Sequence, residues 1–367
     1  MTERVKTKVL IFDFNVVYDL LAGSSVLAHL KNDSVYQYEV VFNRSCALED
    51  RLKDMGFKTH RLPFSPVNKF KQILDLLLLV PRMIYLHTSI KPDLLHANNV
   101  LAARFGAIYK IIFGVPLVTH IRNPRLPPRT QWICRFTDRF ASTSEFVSGM
   151  ALDARYHENV DVVYDGFDFD SDPSRCITSN VGEIRFGMCS RLAHQKGVDS
   201  YCDLALSFSS NDNYLFYHAG GLPSLESQDA YISRLALKHS KSIHWSGYIE
   251  DIGNFWRNVD IAIFPARDDE AFGRVVVEAM AQGIPIISTK CGGPEEIIEH
   301  GVSGLLVDRN DLDALIECAK CLASDVTLRK KLGKQGRLRV SNEFSSAAYI
   351  ERLHSCYKQI LDKEFVL

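Results

Sequence analysis

Residues 261–307 read IAIFPARDDEAFGRVVVEAMAQGIPIISTKCGGPEEIIEHGVSGLLV, and this stretch decides the fold of the chain. It begins with a short apolar run, Ile261–Pro265, of the length and composition of a buried parallel strand. A polar loop follows, and then an amphipathic run that reaches Gly283, a residue type that ends helices in the left-handed conformation. Pro285 blocks continuation of the helix, and the next apolar run begins there. This alternation predicts a parallel α/β sheet.

Two carboxylates lie within this stretch, and the residues between them suit a sugar joined to a nucleotide diphosphate. Glu270 lies in the loop beyond the strand, where its oxygens can accept hydrogen bonds from sugar hydroxyls. Phe272-Gly273 opens the helix, whose first backbone N–H groups can hold phosphate oxygens. Glu278 can accept the two hydroxyls of a ribose, as the acidic residue of dinucleotide-binding units does.

The stretch closely resembles the retaining glycosyltransferases of family 4, whose pattern has two glutamates at this spacing with Phe-Gly after the first. Here it reads Glu270-Ala271-Phe272-Gly273 through Glu278-Ala279-Met280. Two glutamates on a solvated helix surface are the alternative, and the surrounding strand, loop and helix favour the resemblance. The resemblance implies an α/β protein of the GT-B fold, in which two Rossmann-like doubly wound domains face each other across a cleft. A C-terminal helix is expected to cross back to the N-terminal domain.

Residues 190–197, SRLAHQKG, look like the Gly-Arg-Leu-x-x-x-Lys-Gly of the same family, with Ser190 in place of the usual Gly. A nucleoside diphosphate gains negative charge as it leaves the sugar, and fixed cations in a partly dry site stabilise that charge. Arg191 offers a bidentate fork and Lys196 a compact charge. Alone, these would be two exposed basic residues of a loop. Beside the paired glutamates they are predicted to bind the diphosphate, and such a cation pair can replace a metal ion.

Other residues of the second half match donor-binding positions of the family. Gly221 lies in a glycine turn after a predicted strand, which either lets the backbone approach the nucleotide or is only a tight turn. Tyr248 lies in a segment that commonly receives the base, where it could stack on the ring; a buried core aromatic is the alternative. The resemblance also places Phe272, Gly273, Arg274 and Glu278 at the donor.

The first half offers three further candidates. His120 ends the predicted strand Val115–His120 and matches a histidine near the donor sugar in family members, although a lone histidine can equally be structural. His96 stands where relatives often show His-x-His. Gly23 fits the family's glycine loop after the first strand, which is commonly Gly-Gly and here is Ala22-Gly23. The residues predicted to be catalytic are therefore Arg191, Lys196, Glu270 and His120.

With 367 residues, the chain is too long for one ordinary core and suits two domains. Alternating apolar runs and helical patterns predict one α/β domain over 1–165 and a second over 183–345. The resemblance implies that the N-terminal domain is the acceptor side and that the second binds the nucleotide sugar. A linker rich in Ser, Asp and Pro joins them over 166–182, and a crossover helix is predicted within 346–367.

The bulk composition excludes several classes of protein. A net charge of −1 gives no general attraction to nucleic acid. Nine cysteines without the spacing of a disulfide framework predict free thiols in a reducing, cytoplasmic compartment. Since Met1–Lys8 is charged and polar, no secretory signal is expected, and no apolar run is long enough to span a membrane.

We therefore expect a retaining, metal-independent glycosyltransferase that uses no cofactor. Its donor would be a nucleotide diphosphate sugar, with UDP-sugar as the commonest choice, and its acceptor a glycan or polyprenyl-linked glycan of surface polysaccharide or lipopolysaccharide synthesis. Two alternatives are a nucleotide-sugar 2-epimerase of the same fold and a catalytically silent nucleotide-sugar-binding subunit.

The first half also carries a basic, apolar segment that could lie on an anionic bilayer at the inner face of the cell membrane. Residues 67–86 combine Lys69, Lys71 and Arg82 with a leucine run. Downstream, the sequence places four arginines among Leu, Pro and Trp residues; they are Arg122, Arg125, Arg129 and Arg135. The alternative is that 73–80 is a helix buried on all sides and that the arginines belong to a solvated loop.

Overall fold

The structure is a computed structural model that describes residues 6–14, 22–63, 69–169, 183–220, 235, 239, 242–249 and 251–364. It forms two compact units. The first unit contains Met1–Phe167 together with Ser346–Leu367, and the second unit contains Asp168–Ser345. Most of the predicted linker lies outside the described residues.

The first unit is built on a parallel sheet with the strand order β3-β2-β1-β4-β5-β6-β7. Its strands are β1 (Thr7–Asp13), β2 (Tyr36–Phe42), β3 (Lys58–Arg61), β4 (Leu94–Ala97), β5 (Leu117–Ile121), β6 (Arg139–Ser142) and β7 (Val160–Val162). Its α-helices span Ala47–Asp54, Lys69–Ile90, Val100–Phe113, Glu145–Ala151 and Ser346–Glu364, and 3-10 helices span Ala22–Asn32, Pro128–Phe136 and Ala154–Asn159.

The helix Ser346–Glu364 is the last in the chain and packs into the core of the first unit. One face of this helix is buried among residues of the sheet such as Val118. That face carries Tyr349, Leu353, Cys356 and Tyr357. The chain passes so close to it at Gly166 that a Cβ there would lie 2.7 Å from the Cβ of Tyr349, so a larger residue would displace the helix. Phe167 O accepts a hydrogen bond from Ser346 N at 2.9 Å.

The second unit repeats the architecture with a parallel sheet of order β10-β9-β8-β11-β12-β13. Its strands are β8 (Ile184–Cys189), β9 (Tyr214–Ala219), β10 (His244–Trp245), β11 (Ile261–Phe264), β12 (Ile286–Thr289) and β13 (Leu305–Val307). Its described α-helices span Val198–Ser207, Ile252–Arg257, Arg274–Ala281, Gly293–Ile297, Leu312–Ser324 and Val326–Glu343, with a 3-10 turn at His194–Lys196.

In each unit the order of the strands reverses at one place. The first unit reverses between β1 and β4, and the second between β8 and β11. In open α/β sheets the loops that leave the strands at such a switch point diverge, and ligands bind in the crevice they leave. The two switch points are therefore where functional side chains are expected.

Candidate functional site

In the second unit, the loops after β8 and β11 contain the predicted cations and the first glutamate. The two loops are in direct contact, and Arg267 N donates a hydrogen bond to Gln195 O at 2.9 Å. Gly197 has a φ of +69°, and a Cβ there would lie 1.8 Å from the carbonyl oxygen of Pro265. Because no other residue fits this approach, the loop from Ser190 to Gly197 is held in a fixed path over the end of β11.

Lys196 Nζ forms an ion pair with Glu270 Oε2. The two side chains are 21% and 20% exposed, so the pair lies at the surface of a depression rather than in open water. Lys196 also lies 5.7 Å from the centre of the Phe264 ring, at the end of β11. Arg191 is exposed on the same loop. The structure therefore brings Lys196 and Glu270 together and places Arg191 on the same loop as Lys196.

The backbone of Glu270 is held in place by hydrogen bonds to the loop after β12. Its N–H donates to Cys291 O at 2.7 Å, and its carbonyl accepts from Gly293 N at 2.9 Å. A Cβ on Gly293 would lie 2.4 Å from the Cα of Phe272. The side chain of Phe272 is buried and packs edge-on against Phe344 at 5.6 Å. The loop that presents Glu270 is thus fixed from both sides.

The helix Arg274–Ala281 begins immediately after this loop. Gly273 is its N-cap with a φ of +102°, and no side chain occupies the cap. The first N–H groups of such a helix lack intrahelical partners and form an anion-binding terminus. Glu278 lies one turn into the helix and is partly exposed. Burial raises the pKa of Glu278, and the positive charge of Arg274 opposes that rise.

The other donor-binding candidates of the second unit lie at the ends of β9 and β10. Gly221 lies outside the described residues. Its neighbour Gly220 donates to Gly247 O at 2.7 Å, and Ser246 N donates to His218 O at 2.8 Å, so the two loops run side by side. Tyr248 is 74% exposed. The alternative of a buried core aromatic is therefore wrong, and the ring is accessible to a ligand.

One polar contact of this region was not predicted. Ser190, which replaces the family's usual glycine, lies 3.2 Å through its Oγ from Nε2 of the buried His218. Burial lowers the pKa of His218 to about 4, so the ring is neutral at physiological pH. The rule that drew attention to His120, a polar residue at a strand end, applies equally to His218 at the end of β9 and could have found it.

In the first unit, the two candidate histidines lie on neighbouring strands and stack. The ring centres of His96 and His120 are 5.5 Å apart and their planes differ by 17°. Both side chains are fully buried. His96 Nδ1 lies 2.6 Å from the hydroxyl of Tyr357, on the final helix. Gly23 lies in the 3-10 helix Ala22–Asn32 and not in an open loop after β1, so the expected glycine loop is not found at that residue.

Burial and charge keep both histidines neutral. Burial lowers the pKa of His96 to about 3, and the nearby Arg122 adds to the effect. The pKa of His120 is also well below its usual range. Burial is the largest cause, and electrostatic interactions with Arg122 and His96 lower the pKa further. The residue that places a positive charge here, Arg122, was predicted to belong to a basic surface. That prediction is wrong, because Arg122 is 11% exposed and donates to Asp165 at 2.6 Å.

Among the residues that the structure describes, no three His, Cys, Asp or Glu side chains are arranged to hold a metal ion. Within the same described part of the chain, no helix is long and apolar enough to cross a membrane.

Comparisons with known sequences concern mainly the second unit. Residues 175–339 match the family model described as "Glycosyl transferases group 1". The capsular polysaccharide biosynthesis glycosyltransferase CapM of Staphylococcus aureus is 31% identical over 179 residues, which make up 48% of this chain and 46% of CapM. The chain thus spans about half the length of this relative.

Comparisons with solved structures extend over both units. A glycosyltransferase from Rickettsia africae is similar with a TM-score of 0.81 and 19% identity, over 98% of this chain and 99% of that one. HepE of Anabaena, solved in complex with UDP and glucose, gives a TM-score of 0.78 and 22% identity, over 96% of this chain and 100% of that one. The fold they share with this chain is the GT-B fold, and the predicted fold class of two Rossmann-like domains is confirmed.

Proposed function

We propose that this chain, which over residues 175–339 belongs to the group 1 glycosyl transferases, transfers a sugar from a nucleotide diphosphate sugar to a glycan acceptor. The observation that carries the proposal is the paired Lys196 and Glu270 at the switch point of the second unit. A cation and a carboxylate on facing loops, beside an uncapped helix terminus, match the phosphate and hydroxyl groups of such a donor.

The proposed donor is a UDP-sugar. HepE, which has the same fold, has been solved with UDP and glucose, and with UDP-glucose. Glu278 would accept the ribose hydroxyls, and the first turn of the helix Arg274–Ala281 would meet the diphosphate. Tyr248, exposed at the end of β10, is available to stack on the base.

The proposed reaction retains the anomeric configuration and needs no metal ion. The bond between the anomeric carbon and the diphosphate oxygen breaks while the acceptor hydroxyl forms its bond on the same face. The hydroxyl proton passes to the departing phosphate. Arg191 and Lys196 stabilise the charge that develops on the diphosphate. Glu270 accepts hydroxyls of the sugar and orients it, and His120 is the fourth residue with a proposed catalytic role.

We further propose that the acceptor belongs to the synthesis of a surface polysaccharide or lipopolysaccharide. CapM is named for capsular polysaccharide biosynthesis, and the relative LpsE of Rhizobium meliloti for lipopolysaccharide core biosynthesis. Such glycans are often assembled on a polyprenyl carrier, so we place the reaction in the cytoplasm at the inner face of the cell membrane.

A surface of the first unit supports this location. The helix Lys69–Ile90 buries Leu79, Met83 and Leu86, while its opposite face leaves apolar side chains in solvent. The adjacent end of the helix Val100–Phe113, whose Phe113 stacks on His87, continues that face. The exposed apolar residues of the two helices are Leu78, Val80, Ile84, Tyr85, Ile111 and Ile112, and we call them the apolar face. The alternative of a helix buried on all sides over 73–80 is wrong at Leu78 and Val80, which are exposed, and the side chains of 73–77 lie outside the described residues.

The basic part of the proposed membrane surface is smaller than predicted. Arg125 and Arg135 are exposed, whereas Arg122 is held in an ion pair with Asp165. The side chains of Lys69, Lys71 and Arg129 lie outside the described part of the structure. The surface proposed to contact anionic lipid is therefore the apolar face together with Arg125 and Arg135.

The activity is tested by incubating the purified protein with a panel of nucleotide diphosphate sugars, with and without lipid-linked glycan acceptors. We expect free nucleoside diphosphate to appear with a UDP-sugar and to increase when the acceptor is present. Conversion of the donor to its epimer without an acceptor would identify the epimerase alternative. Binding of the donor with neither hydrolysis nor transfer would identify a silent binding subunit.

A further inference from the structure

Arg122 is the centre of a hydrogen-bond network at the switch point of the first unit. Its NH1 donates to Asp165 Oδ1 at 2.6 Å, its Nε donates to Asn98 O at 3.0 Å and its NH2 donates to Asn98 Oδ1 at 2.9 Å. Asn98 is itself oriented, because its Nδ2 donates to Asp13 Oδ1 at 3.2 Å and leaves its Oδ1 to accept. Because all three guanidinium nitrogens of Arg122 donate hydrogen bonds, the orientation of the guanidinium plane is fixed.

The same guanidinium faces one nitrogen of His120. Arg122 NH2 lies 3.4 Å from His120 Nδ1. A guanidinium carries N–H donors and no acceptor, so Nδ1 must present its lone pair to it. His120 is fully buried and its pKa is well below its usual range, so the ring is neutral. A neutral imidazole with an unprotonated Nδ1 carries its proton on Nε2.

The other nitrogen of His120 has no hydrogen-bond partner among the described residues, although it is buried. Buried polar groups are nearly always paired, so an unpaired one needs an explanation, and a partner in a bound ligand is one such explanation. His96, stacked against the same ring, is held by Tyr357 and limits the rotation of His120. The ring therefore keeps Nε2–H in one direction, ready for an acceptor oxygen.

We infer that Arg122 is a positioning residue that holds His120 as the Nε2–H tautomer, so that His120 donates a hydrogen bond to a substrate oxygen and does not act as a general base. The kinetic part of this inference rests on the proposed function. The tautomer itself does not, since it follows from Arg122, Asn98 and Asp165.

The tautomer is read from long-range ¹H–¹⁵N spectra of the full chain labelled with ¹⁵N-histidine, with the His120 signals assigned through His120→Gln. We expect His120 in the unaltered protein to show a protonated Nε2 and an unprotonated Nδ1. In Arg122→Lys, which keeps the charge but loses the planar fork, the signals should move toward a mixture of tautomers. The exposed Arg155, paired with Asp153 on the surface, provides the matched control Arg155→Lys, which should leave them unchanged.

Two kinetic comparisons separate donation from base catalysis. His120→Gln places an N–H donor near the position of Nε2, whereas His120→Leu does not, so we expect Gln to retain at least tenfold more transfer activity than Leu. Arg122→Lys should lower kcat by about tenfold to a hundredfold, which is less than the hundredfold to thousandfold of losing one oriented hydrogen-bond donor outright. Binding of free UDP, proposed to lie in the second unit, should stay unchanged in all three variants.

Because Arg122→Lys could disturb the burial of Asp165, the double variant Arg122→Gln/Asp165→Asn removes both charges and should also lose the single tautomer. A protonated Nδ1 in the unaltered protein, or an unchanged His120 spectrum in both Arg122 variants, would overturn the inference. Equal activity of His120→Gln and His120→Leu would overturn the donor role. If the unaltered protein transfers no sugar, the proposed function fails while the spectra still decide the tautomer.

Discussion

Lys196 and Glu270, 74 residues apart in the sequence, form an ion pair across the two loops of the second unit's switch point. The sequence assigned them to different parts of one ligand, the cation to the diphosphate and the carboxylate to the sugar. Their pairing means that each holds the other's side chain in place. A diphosphate that binds Lys196 competes with the carboxylate, which leaves Glu270 free to accept sugar hydroxyls.

The first prediction concerns the two cations. Arg191→Ala and Lys196→Ala should each lower kcat about a hundredfold or more, because each removes one fixed charge stabiliser from the leaving diphosphate. Steady-state kinetics with the best donor measure this. Lys320→Ala, on an exposed helix position, is the control and should keep full activity. Near-normal turnover of a folded Arg191→Ala protein would show that the assignment is wrong.

The second prediction separates the two glutamates. Glu278→Gln should weaken binding of free UDP, because the ribose contact exists with or without a sugar, whereas Glu270→Ala should spare UDP binding and impair transfer. Since burial raises the pKa of Glu278, the folded state loses stability as the pH rises above the ordinary pKa of a glutamate. Glu278→Gln should therefore raise the Tm at pH 7. Calorimetry with UDP decides, and equal losses of affinity in both variants would contradict the division of roles.

The third prediction is that turnover survives excess EDTA. Arg191, Lys196 and the terminus of the helix Arg274–Ala281 are proposed to meet the charge of the diphosphate. Activity should be the same before and after chelation and dialysis. Loss of activity on chelation, with recovery on adding Mn²⁺ or Mg²⁺, would refute metal independence.

The fourth prediction concerns acid stability. The pKa of His96 is about 3 in the folded protein against 6.5 for an ordinary histidine, so above pH 6.5 its ionisation does not affect stability. As the pH falls below 6.5, His96 becomes protonated in the unfolded chain but stays neutral in the folded chain. The free energy of unfolding therefore drops by about 1.4 kcal/mol per pH unit. Denaturant titrations between pH 7 and pH 4 should show a shallower dependence for His96→Asn. A slope unaltered by His96→Asn would contradict the assignment.

The fifth prediction tests the membrane surface. The protein should float with anionic vesicles at low salt and be released at high salt, because electrostatic attraction to the lipid is screened. Ile84→Glu/Tyr85→Glu should abolish flotation, whereas Leu338→Glu, an exposed apolar position of the second unit, should not. If the protein stays in solution with anionic and neutral vesicles alike, a water-soluble acceptor becomes the better hypothesis.

Most of the fold could be predicted because parallel strands leave a strong local signal. The apolar run Ile261–Pro265 predicts a strand that differs from the observed Ile261–Phe264 by one residue. The strand Lys58–Arg61 was missed, because its KTHR sequence carries no apolar run. It lies at the edge of the sheet, where His60 forms a hydrogen bond with Glu39 and Arg61 donates a hydrogen bond to Glu49.

Residues of a local motif could be placed near one another from the sequence, whereas a residue whose place is decided by a distant partner could not. Lys196 and Glu270 each belong to a motif, so their nearness follows from the switch-point rule. Arg122 belongs to a run of arginines that suggests a surface, and the partner that buries it, Asp165, lies 43 residues away. Hydropathy cannot show such a pairing, because it depends on the ends of strands that meet only in the folded sheet.

The final helix has a consequence for the order in which the chain folds as it is synthesised. Tyr349, Leu353 and Tyr357 complete the core around β1 and β2, which leave the ribosome long before those residues exist. The second unit lies wholly between the two segments of the first, so it can fold while the first still exposes apolar surface. A chain released before residue 346 would therefore keep an intact second unit and an aggregation-prone first one.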